Sequence, residues 1–134
     1  MKYLLDTNII SALIRHPDGN AANRVAALRA GELGTSIIVS AELKFGYIKE
    51  SSKKLEAMIE GLLAGFEIAP WESPADLAYA RLRAELERNG QPIGQNDMLI
   101  AAHALSLGAI LVTDNEREFS RVPGLGIENW VRRK

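Results

Sequence analysis

The stretch DMLIAAHALSLGAILVTDN, residues 97–115, decides the fold. Residues 97–108 are apolar almost all round a helical wheel, so they read as a buried helix. AILVT, residues 109–113, follows at once and reads as a strand that ends at an acid, Asp114. A buried helix running straight into a short strand points to a parallel sheet covered by helices.

Working outward, the same alternation recurs. KYLL, residues 2–5, reads as a strand, and Asn8 is placed to cap a helix carrying Ile9, Ile10, Leu13 and Ile14. Pro17, Asp18 and Gly19 mark a turn, and residues 21–30 read as a helix ending at Gly31. TSIIV, residues 35–39, is rich in β-branched residues and reads as a second strand. Ser40 then caps a helix with Glu42 in its first turn, and residues 52–64 continue as helix. FEIA, residues 66–69, is a third strand candidate. Ser73-Pro74 and Asp76 start a helix whose face is Ala75, Ala78, Tyr79, Leu82 and Leu86, stopped at Gly90. QPIGQN is a loop, residues 115–121 form a short helix, and GIENW, residues 126–130, forms a last strand. The expected fold is α/β: one domain over residues 1–134, with a mostly parallel sheet of four to five strands and helices on both faces, in three layers. Ligands in such sheets bind beyond the carboxyl ends of the strands.

Composition narrows the function. Apolar residues make up 47%, enough for a core. There is no Cys, which excludes disulfides and thiolate metal sites. The formal charge is −1, unlike a strongly basic nucleic-acid binder. No apolar run approaches a membrane span and no signal-peptide core builds up before Asp6, so a soluble cytoplasmic protein is expected. There is no P-loop, no GxGxxG and no GxSxG.

Four acids coincide with the architecture. Asp6 follows the first strand, Glu42 opens the helix after the second, Asp97 opens the buried helix, and Asp114 follows the fourth strand. Taken singly, each has an ordinary use as a cap, a dipole partner or a turn residue. Together they fall on one predicted edge. Gathered carboxylates repel, and a hard divalent cation with oxygen ligands relieves that repulsion. His103, inside IAAHALS, reads as a helix histidine rather than a ligand, because an all-oxygen site needs no imidazole. His16 precedes Pro17 in a loop at the surface.

LLDTN (residues 4–8), SAEL (40–43), IGQNDMLIAAHAL (93–105), LVTDNEREF (111–119) and RVPGLGIENW (121–130) together resemble the PIN-domain family, and within it the VapC-type toxins of bacterial toxin–antitoxin pairs. The similarity runs over nearly the whole chain. It implies a Mg²⁺- or Mn²⁺-dependent endoribonuclease held inactive by a cognate antitoxin. It also implies that Asp6, Glu42 and Asp97 are metal-binding and catalytic acids. Asp114 is the fourth candidate. Family members often carry Thr-x-Asp after the fourth strand, which here puts Asn115 at the acid's place. Either Asp114 or Asn115 faces the ion, and Glu116 or Glu118 can contribute through water. Asn8 and Thr113 are candidates to orient the carboxylates. The implied substrate is tRNA, with the initiator tRNA anticodon loop cut to 5′-phosphate and 3′-hydroxyl ends.

Setting the four acids aside leaves 16 basic residues against 13 acidic ones. Lys44, Lys49, Lys53, Lys54, Arg81, Arg83, Arg88, Arg117 and Arg121 are then candidates to flank the cleft. KFGYIKE, residues 44–50, sets Phe45, Tyr47 and Ile48 among charges and offers a groove for an antitoxin helix. A homodimer is implied by the resemblance. The rival readings are a receiver-type signalling module, a transcriptional regulator acting with its antitoxin, and a DNA or flap nuclease. The first needs a Lys after the last central strand, where this chain offers Asp114. The third usually needs an inserted arch that this chain lacks.

Overall fold

The computed structural model describes residues 1–132. Five parallel strands form one sheet in the order β3-β2-β1-β4-β5: β1 Tyr3–Leu5, β2 Leu33–Ser36, β3 Glu67–Ala69, β4 Ile110–Val112 and β5 Ile127–Glu128. The helices are α1 Thr7–Arg15, α2 Asn20–Ala26, α3 Ile37–Lys49, α4 Lys53–Leu63, α5 Ala75–Arg88, α6 Gln95–Leu107 and α7 Glu116–Phe119. The helices cover both faces, which is why the central strands are so short and so apolar: Leu4, Leu5, Leu111 and Val112 are wholly buried. Phe119, Ile9, Ile10 and Ile100 complete the core against them.

The α/β architecture agrees with the sequence expectation, and several boundaries move. β2 ends at Ser36, and IIV enters α3 instead of extending the strand. Ser36 Oγ accepts the N–H of Ile38 at 3.0 Å, so a cap decides the boundary and overrides β-branched propensity. Val39 is buried from the helix. The cap expected at Ser40 is therefore at Ser36, and Glu42 lies in the second turn of α3, not the first. Likewise Asp6, not Asn8, caps α1. Ser51, at φ 52°, separates α3 from α4, and Ser52 caps the latter. Ser73 makes no capping bond to α5. α6 starts at Gln95, placing Asp97 in its first turn. β5 keeps only Ile127 and Glu128 of GIENW.

Strand order places the functional edge. Successive connections run from β1 outward to β2 and β3, and then return across β1 to β4. The order reverses between β1 and β4, so a crevice opens at their carboxyl ends. α6 leads into β4 and runs antiparallel to it. Its thirteen residues span about 20 Å, which carries its N-terminus, with Asp97, back to that same edge.

Candidate active site

Asp6 sits at the crevice because it is the first residue past β1. Its extended backbone (φ −77°, ψ 165°) lets the side chain fold back over the start of α1. One carboxylate oxygen accepts the Thr7 N–H at 2.8 Å. The other accepts the Thr113 hydroxyl at 2.7 Å and the Asn8 side-chain amide at 3.4 Å. Asp6 is 5% exposed. Burial pushes its pKa up and Glu42 adds to that, while the bonds from Thr113, Thr7 and Asn8 oppose it. Thr113, the first residue past β4, is fully buried and also accepts the Asn115 N–H at 3.0 Å. One hydroxyl thus ties the ends of both central strands together.

Glu42 reaches the site from α3 and accepts the Thr7 hydroxyl at 2.9 Å. Asp97 faces it from α6. Burial, then the neighbouring Glu118 carboxylate, then Asp6 and Glu42, push Asp97 up to about 7. Glu118 moves the other way. The Gly94 N–H at 2.6 Å and the Asn115 side-chain amide at 2.8 Å hold it ionised. Of these two acids Asp97 is thus the one with the higher proton affinity. Gly94 leaves room above them: a Cβ there would stand 3.6 Å from Asp97 and 3.7 Å from Glu118.

Asp6, Glu42 and Asp97 thus come together, and Glu118 joins them from α7. Asp114 does not. It is exposed, and its carboxylate accepts the Asn129 amide at 3.0 Å, while its N–H donates to Asn8 Oδ1 at 3.0 Å. Asn115 faces the cluster through Glu118. Glu116 is held away by Arg132 at 2.6 Å. The helical spacing in DNEREF could have found Glu118: with Asn115 as the residue before α7, Glu118 falls one turn on, on the same side. Among the basic candidates, Lys44, Lys53 and Arg83 pair with Glu60, Glu56 and Glu87 on the helix surfaces. Arg121 donates to the Pro92 carbonyl at 3.0 Å, beside Glu118.

Among the described residues, no three His, Asp or Glu side chains close into a ready-made coordination shell. The donor chemistry nevertheless fits a hard divalent cation: the donors are all oxygens, and the carboxylates around Asp97 raise its proton affinity, a repulsion that such an ion relieves.

A PIN domain family model matches residues 3–125. The chain is 40% identical to Ribonuclease VapC2 of Rickettsia felis over 132 residues, covering 97% of this chain and 98% of that one. It is 37% identical to the tRNA(fMet)-specific endonuclease VapC of Shigella flexneri over 131 residues, covering 97% and 98%. Its fold superposes on the solved structure of VapBC2 from Rickettsia felis, bound to a DNA fragment from its promoter. That match has a TM-score of 0.88 and 41% identity, and covers 97% of this chain and 99% of that one.

Proposed function

We propose, from the premise that the chain belongs to the PIN-domain family, that it is a VapC-type endoribonuclease and the toxin of a toxin–antitoxin pair. The observation that carries this reading is the pairing across the crevice: Asp6 with Glu42 on one side, Asp97 with Glu118 on the other. These four acids are the candidate ligands of a Mg²⁺ ion, or Mn²⁺ in its place, with Glu118 at the position the sequence alone assigns to Asp114. When bound, such an ion neutralises charge on the scissile phosphate and lowers the pKa of water.

The chain's own groups do the rest. Asp6 is clamped by three donors, which fix its place and oppose the rise in pKa that burial causes. Glu42 is turned by the Thr7 hydroxyl so that its free oxygen can accept the proton of attacking water. Asp97, whose proton affinity is raised by burial and by the carboxylates of Glu118, Asp6 and Glu42, would hold the ion in its ionised form. In-line attack on phosphorus then leaves 5′-phosphate and 3′-hydroxyl ends.

The Shigella relative's name favours tRNA, in particular the initiator tRNA(fMet), as substrate; the anticodon loop as the cut site comes from the family resemblance alone. The complexes among the solved neighbours favour a cognate antitoxin as partner. A cleft of about 280 Å³ runs from Thr7 and Glu42 to Leu43, Gly46, Leu55 and Ile59. Phe45 and Ile48, 64% and 67% exposed, stand on the same helix. An antitoxin helix seated there would cover apolar surface and approach Glu42. No helix among the described residues is long and apolar enough to cross a membrane, in keeping with action in the cytoplasm. A homodimer is expected from the family resemblance, and light scattering at several concentrations is the measurement that tests it.

The deciding experiment is RNA cleavage by the purified protein in Mg²⁺ or EDTA, with Asp6→Asn as control. Cleavage in Mg²⁺ alone, lost in the variant, is expected; undiminished cleavage in EDTA overturns the metal role.

A further inference from the structure

His103 has no part in the chemistry above, yet it is a costly residue where it stands. It is 1% exposed in the middle of α6, where a leucine would pack without any polar atom to satisfy. Burial lowers its proton affinity, so the ring is neutral. Its Nδ1 lies 2.7 Å from Ser36 Oγ, across 67 residues of chain. Ser36 is itself fully buried, and the same oxygen caps α3 by accepting the Ile38 N–H at 3.0 Å. The tautomer with hydrogen on Nε2 satisfies this arrangement: Ser36 O–H donates to Nδ1 and keeps its lone pairs for the cap. Nε2 is then buried without a partner in good geometry, with the Pro70 carbonyl nearby. The next residue, Trp71, donates its indole N–H to the Leu99 carbonyl of α6 at 2.9 Å.

The two helices joined at this point are the ones that carry opposing acids. Glu42 stands six residues after Ser36 and Asp97 six residues before His103. Each is about 9 Å along its helix axis from the bond. We propose that His103 and Ser36 are a positioning pair that fixes the separation of α3 and α6, and through it the separation of Glu42 and Asp97. This rests on the reading of those two acids as ligands of a divalent ion. A helix is stiff over six residues, so a small shift at the buried bond is passed on to the carboxylate, where displacements near 1 Å matter.

The test is Mn²⁺ binding to the full chain by titration calorimetry, alongside kcat and KM for RNA cleavage. His103→Leu is expected to weaken Mn²⁺ about tenfold, the low end for losing a group that orients ligands. It should lower kcat and leave KM for RNA unchanged. His103→Asn, whose amide can reach Ser36 from the place of Nδ1, should recover most of the loss. A folded His103→Leu that binds Mn²⁺ within twofold of wild type overturns the pair. If that variant does not fold, Ser36→Ala decides on the same measure: weakened binding supports the pair, and binding within twofold overturns it. Asp97→Asn separates the two levels. If wild type shows no Mn²⁺ binding that Asp97→Asn removes, the ion site itself fails and the positioning pair with it. If that control behaves as expected and His103→Leu changes nothing, the pair alone fails.

Discussion

Asp6 and Asp97 face each other across one crevice, and their surroundings differ. Asp6 is nearly sealed, yet three donors from Thr7, Asn8 and Thr113 meet its oxygens. Asp97 is half-buried and faces three other carboxylates, and burial together with that repulsion pushes its pKa up to about 7. One acid has donors that oppose the cost of its burial, and the other has carboxylates that add to that cost. The difference shows how one fold holds two carboxylates at one edge in unlike ways: one is met by hydrogen-bond donors, and the other stands among like charges.

Asp6→Asn is the sharpest way to break this division. Cleavage should fall by about 10²–10³-fold, the scale of removing a principal electrostatic group, while circular dichroism remains that of the folded chain. Next is Glu118→Gln, which removes the charge beside Asp97. Mn²⁺ affinity measured by calorimetry should drop about 10- to 100-fold. Thr113→Val strips one donor from Asp6 and should cost about 1–3 kcal/mol in urea unfolding, with about a tenfold loss of cleavage.

Asp97→Asn tests the other side without any substrate. The folded pKa, about 7, lies above the ordinary 3.8, so the native state holds this proton more tightly than the unfolded chain does. Stability from this group is present at low pH and is lost as pH rises from about 4 to about 7. Metal-free wild type should therefore melt below Asp97→Asn at pH 8. After allowance for solvent screening the gap is about 1 kcal/mol, or a few degrees; the two should converge near pH 4. Equal melting temperatures at pH 8 would erase the contrast between the two acids. The smallest expected effect is at Asp114: Asp114→Asn should leave cleavage within about threefold of wild type. A loss as large as that of Glu118→Gln would return the fourth place to Asp114.

Much of this was legible in the residues. Strong helical and strand patterns announced a parallel sheet with covered faces, because apolar periodicity survives any detail of packing. Asp6 was legible because an acid at the end of an apolar run has few other uses. The boundary at residues 35–40 was not, since local β-branched propensity in IIV lost to a cap at Ser36 that exists only when β2 ends there. From the sequence, Glu118 reads only as a contributor through water. Its neighbour Asp114 looked the same from sequence, and only the turn past β4 and the start of α7 decide which acid points inward.

From the amino-acid order alone came the alternation of elements, the acids at their ends and the family motifs, because these depend on periodicity and on neighbours close in the chain. Tertiary structure decided which edge those acids share, which of Asp114 and Glu118 joins them, and which carboxyl has the higher proton affinity. Those outcomes depend on strand order, burial and the distance between charges brought from residues as far apart as Asp6 and Glu118, and none of these is a local property of the chain.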